Sequence, residues 1–156
     1  MLDVGCGLGR NLLNNNKNGV GVDHNSHSVA EARRRGLLAF TTTEFPNSGY
    51  AKPETFDSVL LAHVVEHMTR QQALEIILSY LPYLKFNGRL ILITPQEAGF
   101  KSDSTHVEFV DNRALESMVA DLGLRLEKSI SFPFPRFFGR LFKYNECVVT
   151  AIKHGI

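Results

Sequence analysis

The stretch Leu2–Asn11, "LDVGCGLGRN", decides the fold. A strand-like lead, Leu2–Val4, runs into three glycines at alternate positions, Gly5, Gly7 and Gly9. Glycine adopts positive φ angles without strain and lets a backbone approach a neighbour closely. A strand that passes through such a turn into a helix is typical of the first unit of an α/β domain that binds a nucleotide-like ligand.

Length and charge restrict the class of protein. The 156 residues correspond to one ordinary domain. With 17 basic and 16 acidic residues the net charge is +1, so bulk electrostatics gives no support for nucleic-acid binding. No apolar run reaches the roughly 18 residues of a membrane span and no secretory leader is evident, so we expect a cytoplasmic protein. Cys6 and Cys147 lie far apart in sequence and are expected to be reduced, packed thiols.

Strand and helix patterns alternate along the chain. Five strands separated by helices predict βαβ crossovers, and therefore an α/β, doubly wound, mostly parallel sheet with helices on both faces. The last two strands have no helix between them and are expected to form an antiparallel hairpin at one edge. The predicted strands cover 2–4, 19–23, 37–41, 56–62, 87–95, 124–132 and 146–153, and the predicted helices cover 9–17 and 26–35 and begin near 70 and 112.

Helix ends are indicated by capping residues. Asn25 or Ser28 is expected to cap the second helix, and the pairs Ser28–Glu31 and Thr69–Gln72 have capping-box spacing. Asp111 is expected to cap the last helix. The third helix is expected to continue past Tyr80 with a kink at Pro82, because apolar residues recur at helical spacing at positions 74, 77, 78, 81 and 84.

The glycine turn does not match a dinucleotide-binding fingerprint. That fingerprint reads G-x-G-x-x-G, and Arg10 stands where its third glycine belongs. Asp3, just before the turn, suits a ligand with an ammonium group or an amide-linked network better than a pyrophosphate. These two differences argue against a nicotinamide cofactor.

Several motifs, taken in order, resemble those of the class I S-adenosylmethionine-dependent methyltransferases. The likeness is to the broad small-molecule branch that includes the quinone-biosynthesis methyltransferases, and it covers almost the whole chain. It implies a Rossmann-like methyltransferase fold, S-adenosylmethionine as cofactor and methyl transfer to a small-molecule acceptor. The motifs are the glycine turn, "GVD" at 21–23, "FDSVLLAHVVEHM" at 56–68, "LKFNGRLILITP" at 84–95 and "STHVEFVDNRALESMVADLGL" at 104–124.

The resemblance also implies a cofactor site. Asp3 and the glycines would face the methionine portion, and Asp23 would accept hydrogen bonds from the ribose hydroxyls. The family often has an acidic residue after the third strand that binds the adenine amine, and here Thr41–Thr43 or Glu44 must replace it. The implied cofactor-binding residues are Asp3, Gly5, Cys6, Gly7, Gly9, Asp23, His24, Thr42, Thr43, Glu44, Ala62 and His63.

Two histidines are the catalytic candidates. His63 follows the fourth strand, at the position that faces the donor methyl group in this family, and is interpreted either as a general base or as a packing and hydrogen-bonding residue. His106 follows the fifth strand among polar residues and is interpreted either as a substrate-side residue or as a plain loop histidine.

Other functions are open to the same sequence. "HVVEH" at 63–67 matches the H-x-x-E-H signature of a zinc hydrolase, but Thr69 starts a helix too late to carry both histidines, so no metal ligand is assigned. A non-catalytic cofactor-binding module is the second alternative. The resemblance implies helices before the first strand, which the sequence does not contain. We therefore interpret residues 1–156 as a single domain, with an N-terminal truncation as one explanation.

The segment Phe132–Tyr144 contains six aromatic residues together with Arg136, Arg140 and Lys143. Its charges and prolines exclude a membrane span. Packing at the sheet edge or self-association is one interpretation, and contact with a hydrophobic acceptor or with lipid is the other.

Overall fold

The computed structural model of the chain describes residues 1–154. The strands are β1 (Leu2–Val4), β2 (Val20–Asp23), β3 (Ala39–Thr41), β4 (Phe56–Ala62), β5 (Leu84–Pro95), β6 (Arg125–Phe132) and β7 (Glu146–Ile152), and the helices are α1 (Arg10–Asn14), α2 (Ser26–Arg34), α3 (Arg70–Tyr80), α4 (Glu97–Phe100) and α5 (Asn112–Asp121). Helices separate β1 from β2, β2 from β3 and β4 from β5, as the sequence predicts, whereas a loop with one 3₁₀ turn connects β3 to β4.

The strands form one mixed sheet in the order β3-β2-β1-β4-β5-β7-β6. Neighbouring strands from β3 to β5 are parallel, whereas β7 lies antiparallel between β5 and β6. The doubly wound sheet and its antiparallel edge are thus confirmed. Strand order reverses between β1 and β4, and ligands of such sheets bind beyond the carboxyl ends of the strands at this point.

The core lies on both faces of the central strands. β1 and β2 are buried at every position, as expected of parallel strands that helices cover on both sides. Phe45 lies in the connection after β3, is only 2% exposed, and packs edge-on against Tyr83 with ring centroids 5.2 Å apart. Among residues 1–154, no helix has the length and apolar character to cross a bilayer.

Helix caps confirm part of the prediction. The Asn25 side chain accepts hydrogen bonds from the backbone amides of His27 and Ser28, so Asn25 is the cap of α2. Thr69 and Gln72 form the expected capping box of α3. Asp111 accepts from the Ala114 amide at the start of α5. These side chains satisfy amides that have no partner in the first helical turn.

Three local predictions were wrong. Ser28 and Glu31 form no capping box, because the Glu31 carboxylate bonds to the guanidinium groups of the following turn. α1 stops at Asn14 instead of 17, because positions 16 and 17 adopt positive φ angles. α3 ends at Tyr80 rather than kinking at Pro82. A single 3₁₀ turn follows over 81–83, and Leu84 is already the fully buried first residue of β5.

Candidate functional site

The glycine turn wraps over the end of β1 in a left-handed backbone conformation. Gly5, Gly7 and Gly9 have φ angles of 75°, 51° and 82°. A methyl group on Gly5 would collide with Val64, and one on Gly9 would collide with Leu37. Around Gly7, no heavy atom of residues 1–154 beyond its chain neighbours lies within 4 Å of the corresponding position. Internal packing therefore accounts for two of the glycines, and Gly7 is the one that leaves open space.

The Asp23 carboxylate joins the turn to the end of β2. Its Oδ2 accepts a hydrogen bond of 2.8 Å from the Gly7 amide, and its Oδ1 accepts one of 2.8 Å from the Asn25 amide. The residue is 7% exposed. A carboxylate has about four acceptor positions, so two remain for hydroxyl donors of a ligand. Asp23 is therefore held in one orientation before any ligand binds.

Asp3 lies beneath the turn with no exposed surface. Within the part of the chain that the structure describes, neither carboxylate oxygen has a hydrogen-bond partner. Burial raises the pKa of Asp3 to about 6; the nearby Asn11 side chain opposes this shift and the Asp23 charge adds to it. An unpaired buried carboxylate favours a positively charged group nearby, because such a group compensates its lost hydration.

A small cavity of about 220 Å³ opens beside the turn, between β1, β2 and α3. Its walls combine the Asp23 carboxylate and the Thr42 hydroxyl with apolar side chains from the α3 side. A mostly apolar cleft with a few polar groups is the usual form of a small-molecule site. The lining residues are Val4, Gly5, Val22, Asp23, His24, Thr42, Val64, Met68, Ile76, Ser79 and Tyr80.

Some predicted cofactor residues lie outside this lining. The Glu44 carboxylate turns toward Arg33, 2.7 Å away, and also accepts from the Thr41 amide. The Thr43 hydroxyl lies 3.0 Å from that of Thr41. Cys6 is buried behind the turn, where burial, with the nearby charges of Asp3 and Asp23, raises its pKa to about 12. Gly9 faces Leu37, and Ala62 is the half-buried last residue of β4.

A second cavity, of about 350 Å³, lies on the other side of the turn. It brings the two candidate histidines, His63 and His106, to one place. Polar groups dominate its wall, in contrast to the first cavity. The lining residues are Arg10, His63, His67, Pro95, Gly99, Ser102, Asp103, His106, Lys143, Tyr144 and Glu146.

His63 is clamped between two carboxylates. Its Nε2 lies 2.8 Å from Glu146 Oε1, and its Nδ1 lies 3.3 Å from Glu66 Oε1. Hydrogen bonding to Glu146 and then to Glu66 raises the pKa of His63 to about 9, against an opposing contribution from burial. The backbone supports this position with an unusual φ of 58°. With a carboxylate at each ring nitrogen, neither nitrogen has a lone pair free to accept a proton.

His106 is held by its own loop. Its Nδ1 donates to the Phe100 carbonyl oxygen over 2.7 Å, and its ring stacks on that of Phe100 with centroids 5.1 Å apart. Because Nδ1 carries the proton, Nε2 is left as an acceptor. His106 Nε2 lies 4.0 Å from Asp103 Oδ2, beyond hydrogen-bond distance, whereas both ring nitrogens of His63 lie closer to a carboxylate.

The aromatic segment 132–144 lies beside the second cavity, and Lys143 and Tyr144 belong to both. A buried polar group anchors it, since Asn145 Nδ2 donates to Gln96 Oε1 over 3.0 Å. Phe137, Leu141 and Tyr144 are 66%, 83% and 66% exposed. Self-association through this surface stays a prediction.

Residues 2–92 match the family described as methyltransferase domain. The chain belongs to this family of S-adenosylmethionine-dependent methyltransferases. The match begins at β1 and ends within β5, so it includes Asp3, Asp23 and His63. The comparison with curated proteins gives no match.

Solved structures show the same fold for the methyltransferase. An S-adenosylmethionine-dependent methyltransferase from Archaeoglobus fulgidus is 19% identical, with a TM-score of 0.72 over 97% of this chain and 85% of its own. The magnesium protoporphyrin IX methyltransferase of Synechocystis PCC 6803, solved with bound S-adenosylhomocysteine, is 18% identical, with a TM-score of 0.69 over 97% and 73%. A geranyl diphosphate methyltransferase is 11% identical, with a TM-score of 0.73 over 97% and 71%. These likenesses establish a Rossmann-like methyltransferase fold.

Sequence reasoning missed Glu146 of the methyltransferase. The residue opens β7, and β7 runs antiparallel to its neighbours. Its first residue therefore lies at the edge where the parallel strands end. The predicted antiparallel hairpin carried this signal, because it already implied that "ECVVTAIK" begins beside the ligand crevice.

Proposed function

We propose that the methyltransferase moves a methyl group from S-adenosylmethionine to a small-molecule acceptor, with the cofactor along the glycine turn and the acceptor in the cavity of His63 and His106. The bound cofactor supplies the activated methyl group. The observation that carries the proposal is the position of Asp23, fixed at the junction of the open Gly7 position and the 220 Å³ cavity.

The residues at the turn fit this cofactor. Asp23 keeps acceptor positions for two ribose hydroxyls, and the apolar wall at Val64, Met68 and Tyr80 suits a nucleobase. Asp3 lines neither cavity, so we assign it an electrostatic role. Its charge, unpaired beneath the turn, attracts the cationic amino acid portion of the ligand.

The acceptor side rests on the second cavity. Methyl transfer is an in-line displacement, so holding the acceptor in place is the main demand on this cavity. Of the two histidine candidates, we assign proton acceptance to His106, whose Nε2 makes no hydrogen bond within residues 1–154, and a hydrogen-bonding role to His63, whose ring nitrogens lie 2.8 and 3.3 Å from carboxylates. We also propose that the acceptor is an apolar or cyclic molecule. This part of the proposal rests on the resemblance to the quinone-biosynthesis methyltransferases.

Titration calorimetry with S-adenosylmethionine and S-adenosylhomocysteine tests the cofactor site. Asp23→Ala should weaken binding by roughly 1.5 to 3 kcal/mol, about 10- to 100-fold, because charge-assisted hydrogen bonds are lost. Asp57→Asn, an exposed acid outside both cavities, is the matched control and should bind as the parent does. Circular dichroism checks that Asp23→Ala is folded, since this residue also holds the turn.

Two outcomes would overturn the proposal in different ways. Absence of heat at millimolar ligand would remove the cofactor site. Binding without formation of S-adenosylhomocysteine over a broad acceptor panel would favour a non-catalytic binding module. If turnover is found, His106→Gln should lower kcat more than it raises KM, and an unchanged kcat would remove its assigned role.

A further inference from the structure

We propose that Glu66, His67 and His106 form a binding site for a divalent transition-metal ion at the border of the acceptor cavity. One carboxylate oxygen of Glu66 and one nitrogen of each imidazole lie within 4.8 Å of one another. Two imidazoles and a carboxylate favour ions such as Zn²⁺, Mn²⁺ or Fe²⁺ over Ca²⁺ and Mg²⁺. His67 and His106 both line the 350 Å³ cavity, so an ion held there is reachable from it. A bound ion takes the Nε2 lone pair of His106, so the proton acceptance assigned to His106 applies to the metal-free chain.

The first supporting observation is the state of the Glu66 side chain. It has no exposed surface, and among residues 1–154 its Oε2 has no hydrogen-bond partner. His63 Nδ1 approaches Oε1 at 3.3 Å, which leaves Oε2 with no cationic contact from that ring. A buried carboxylate needs a charge or a donor to offset its lost hydration, and a metal ion supplies that charge.

The second observation is the orientation of the imidazole rings. His106 Nδ1 donates to the Phe100 carbonyl oxygen, and His67 Nδ1 lies 3.3 Å from the Thr105 carbonyl oxygen and 3.1 Å from its hydroxyl. That hydroxyl donates to Asp103 Oδ1 over 2.7 Å, so toward His67 it can only accept. Both rings therefore carry their proton on Nδ1 and keep a lone pair on Nε2. Metal-binding histidines are commonly fixed by such carbonyl acceptors.

Spacing supports the same assignment. Ligand atoms about 2.1 Å from one ion lie no more than about 4.2 Å apart, so the three side chains need to close by less than about 1 Å. Glu66 and His67 share one 3₁₀ turn, Val65–His67, and His106 comes from the loop after α4. Closure therefore needs a small shift of one loop toward one turn.

This ligand set differs from the H-x-x-E-H hydrolase signature weighed from the sequence. In that signature His63 would be a ligand and Glu66 a base. Here His63 faces Glu146, while His106, from a distant part of the chain, takes the third position. The site thus binds an ion through a different set of groups and implies no hydrolysis.

Metal binding by the full chain tests the proposal without any activity assay. After treatment with a chelator and its removal, equilibrium dialysis against Zn²⁺ and Mn²⁺, followed by elemental analysis, should give one ion per chain for at least one metal. Glu66→Gln and His106→Gln should each weaken binding at least about tenfold. His27→Gln, an exposed histidine on α2, is the matched control and should bind as the parent does.

The outcomes separate this proposal from the proposed function. Binding of less than about one tenth of an ion per chain, or equal affinity in His106→Gln and His27→Gln, overturns the metal site. Cofactor titration of the metal-free chain is independent of that result. Co²⁺ absorption gives a second measurement for any variant of lowered stability, since tetrahedral histidine and carboxylate coordination yields visible bands far more intense than the weak ones of hydrated Co²⁺.

Discussion

Replacing Asp3 with asparagine should stabilise the free protein and weaken its binding of S-adenosylmethionine. The carboxyl is fully buried without a hydrogen-bond partner in residues 1–154, and its pKa is raised from 3.8 to about 6. Its ionised form is therefore less stable in the folded chain than in the unfolded chain. Asparagine has nearly the same shape and carries no charge, so it removes this penalty while keeping the packing beneath the turn.

The magnitude follows from the pKa of Asp3. Each pKa unit corresponds to about 1.4 kcal/mol, so ionisation lowers the free energy of unfolding by about 3 kcal/mol at pH 8. Between about pH 4 and pH 6 the folded state binds more protons than the unfolded state, so stability decreases as the pH rises through this interval. At pH 4.5 the penalty is only about 1 kcal/mol.

Urea denaturation at pH 4.5 and pH 8 measures this difference. The advantage of Asp3→Asn over the parent should grow with pH, and that growth is diagnostic, because a change in packing would affect both pH values equally. Asp57→Asn, which removes an exposed carboxylate paired with Lys85, should give no stabilisation at either pH. The reasoning would be refuted if Asp3→Asn were less stable than the parent at pH 8. It would also be refuted if the difference in free energy of unfolding between variant and parent were the same at both pH values.

Three further predictions concern the same region and the core. Affinity of the parent for S-adenosylmethionine should fall about tenfold from pH 7.5 to pH 5 as Asp3 is protonated, and calorimetry on Asp3→Asn should show no such dependence. Gly9→Ala should lower the free energy of unfolding, measured in urea, by about 2 to 4 kcal/mol, because the added methyl group collides with Leu37 and the backbone is left-handed. Gly7→Ala has only the backbone strain and should lose about 1 to 2 kcal/mol, so equal losses would contradict this explanation. Phe45→Ala should lose about 3 to 5 kcal/mol by thermal or urea unfolding, and a loss below about 1 kcal/mol would show that Phe45 is not a core residue.

Local signals in the sequence were sufficient for most of the fold. The glycine turn, the acid at the end of β2 and the Thr69 capping box each depend on residues a few positions apart, and all three lie where they were expected. α3 was drawn too long because Leu84 continues its helical spacing. That residue instead meets the sheet as the start of β5, and only the tertiary fold decides between these two uses.

The acceptor side was less accessible to sequence reasoning. His63 and His106 were chosen one at a time, and nothing local indicated that Glu146 would occupy one ring nitrogen of His63 across 83 positions. The contact between Glu66 and His63 and the complete burial of Glu66 were not predicted either, because both depend on how the loops after β4 and α4 pack together. The lack of a hydrogen-bond donor at Glu66 Oε2 within residues 1–154 is a property of the packed structure.

β7 lies between β5 and the edge strand β6, and this position affects the order in which the sheet folds. Within residues 1–154, β6 pairs with β7 alone, so neither strand of this edge can join the sheet until β7 has paired with β5. These pairings join residues about 60 positions apart, and such distant contacts form slowly. In a partly folded chain in which β7 has not yet docked, one side of β5 has unpaired backbone N–H and C=O groups. Such an edge can pair with a strand of another chain. Substitutions that slow the docking of β7 onto β5 should therefore increase aggregation during refolding at a milder level of perturbation than is needed to change the folded protein.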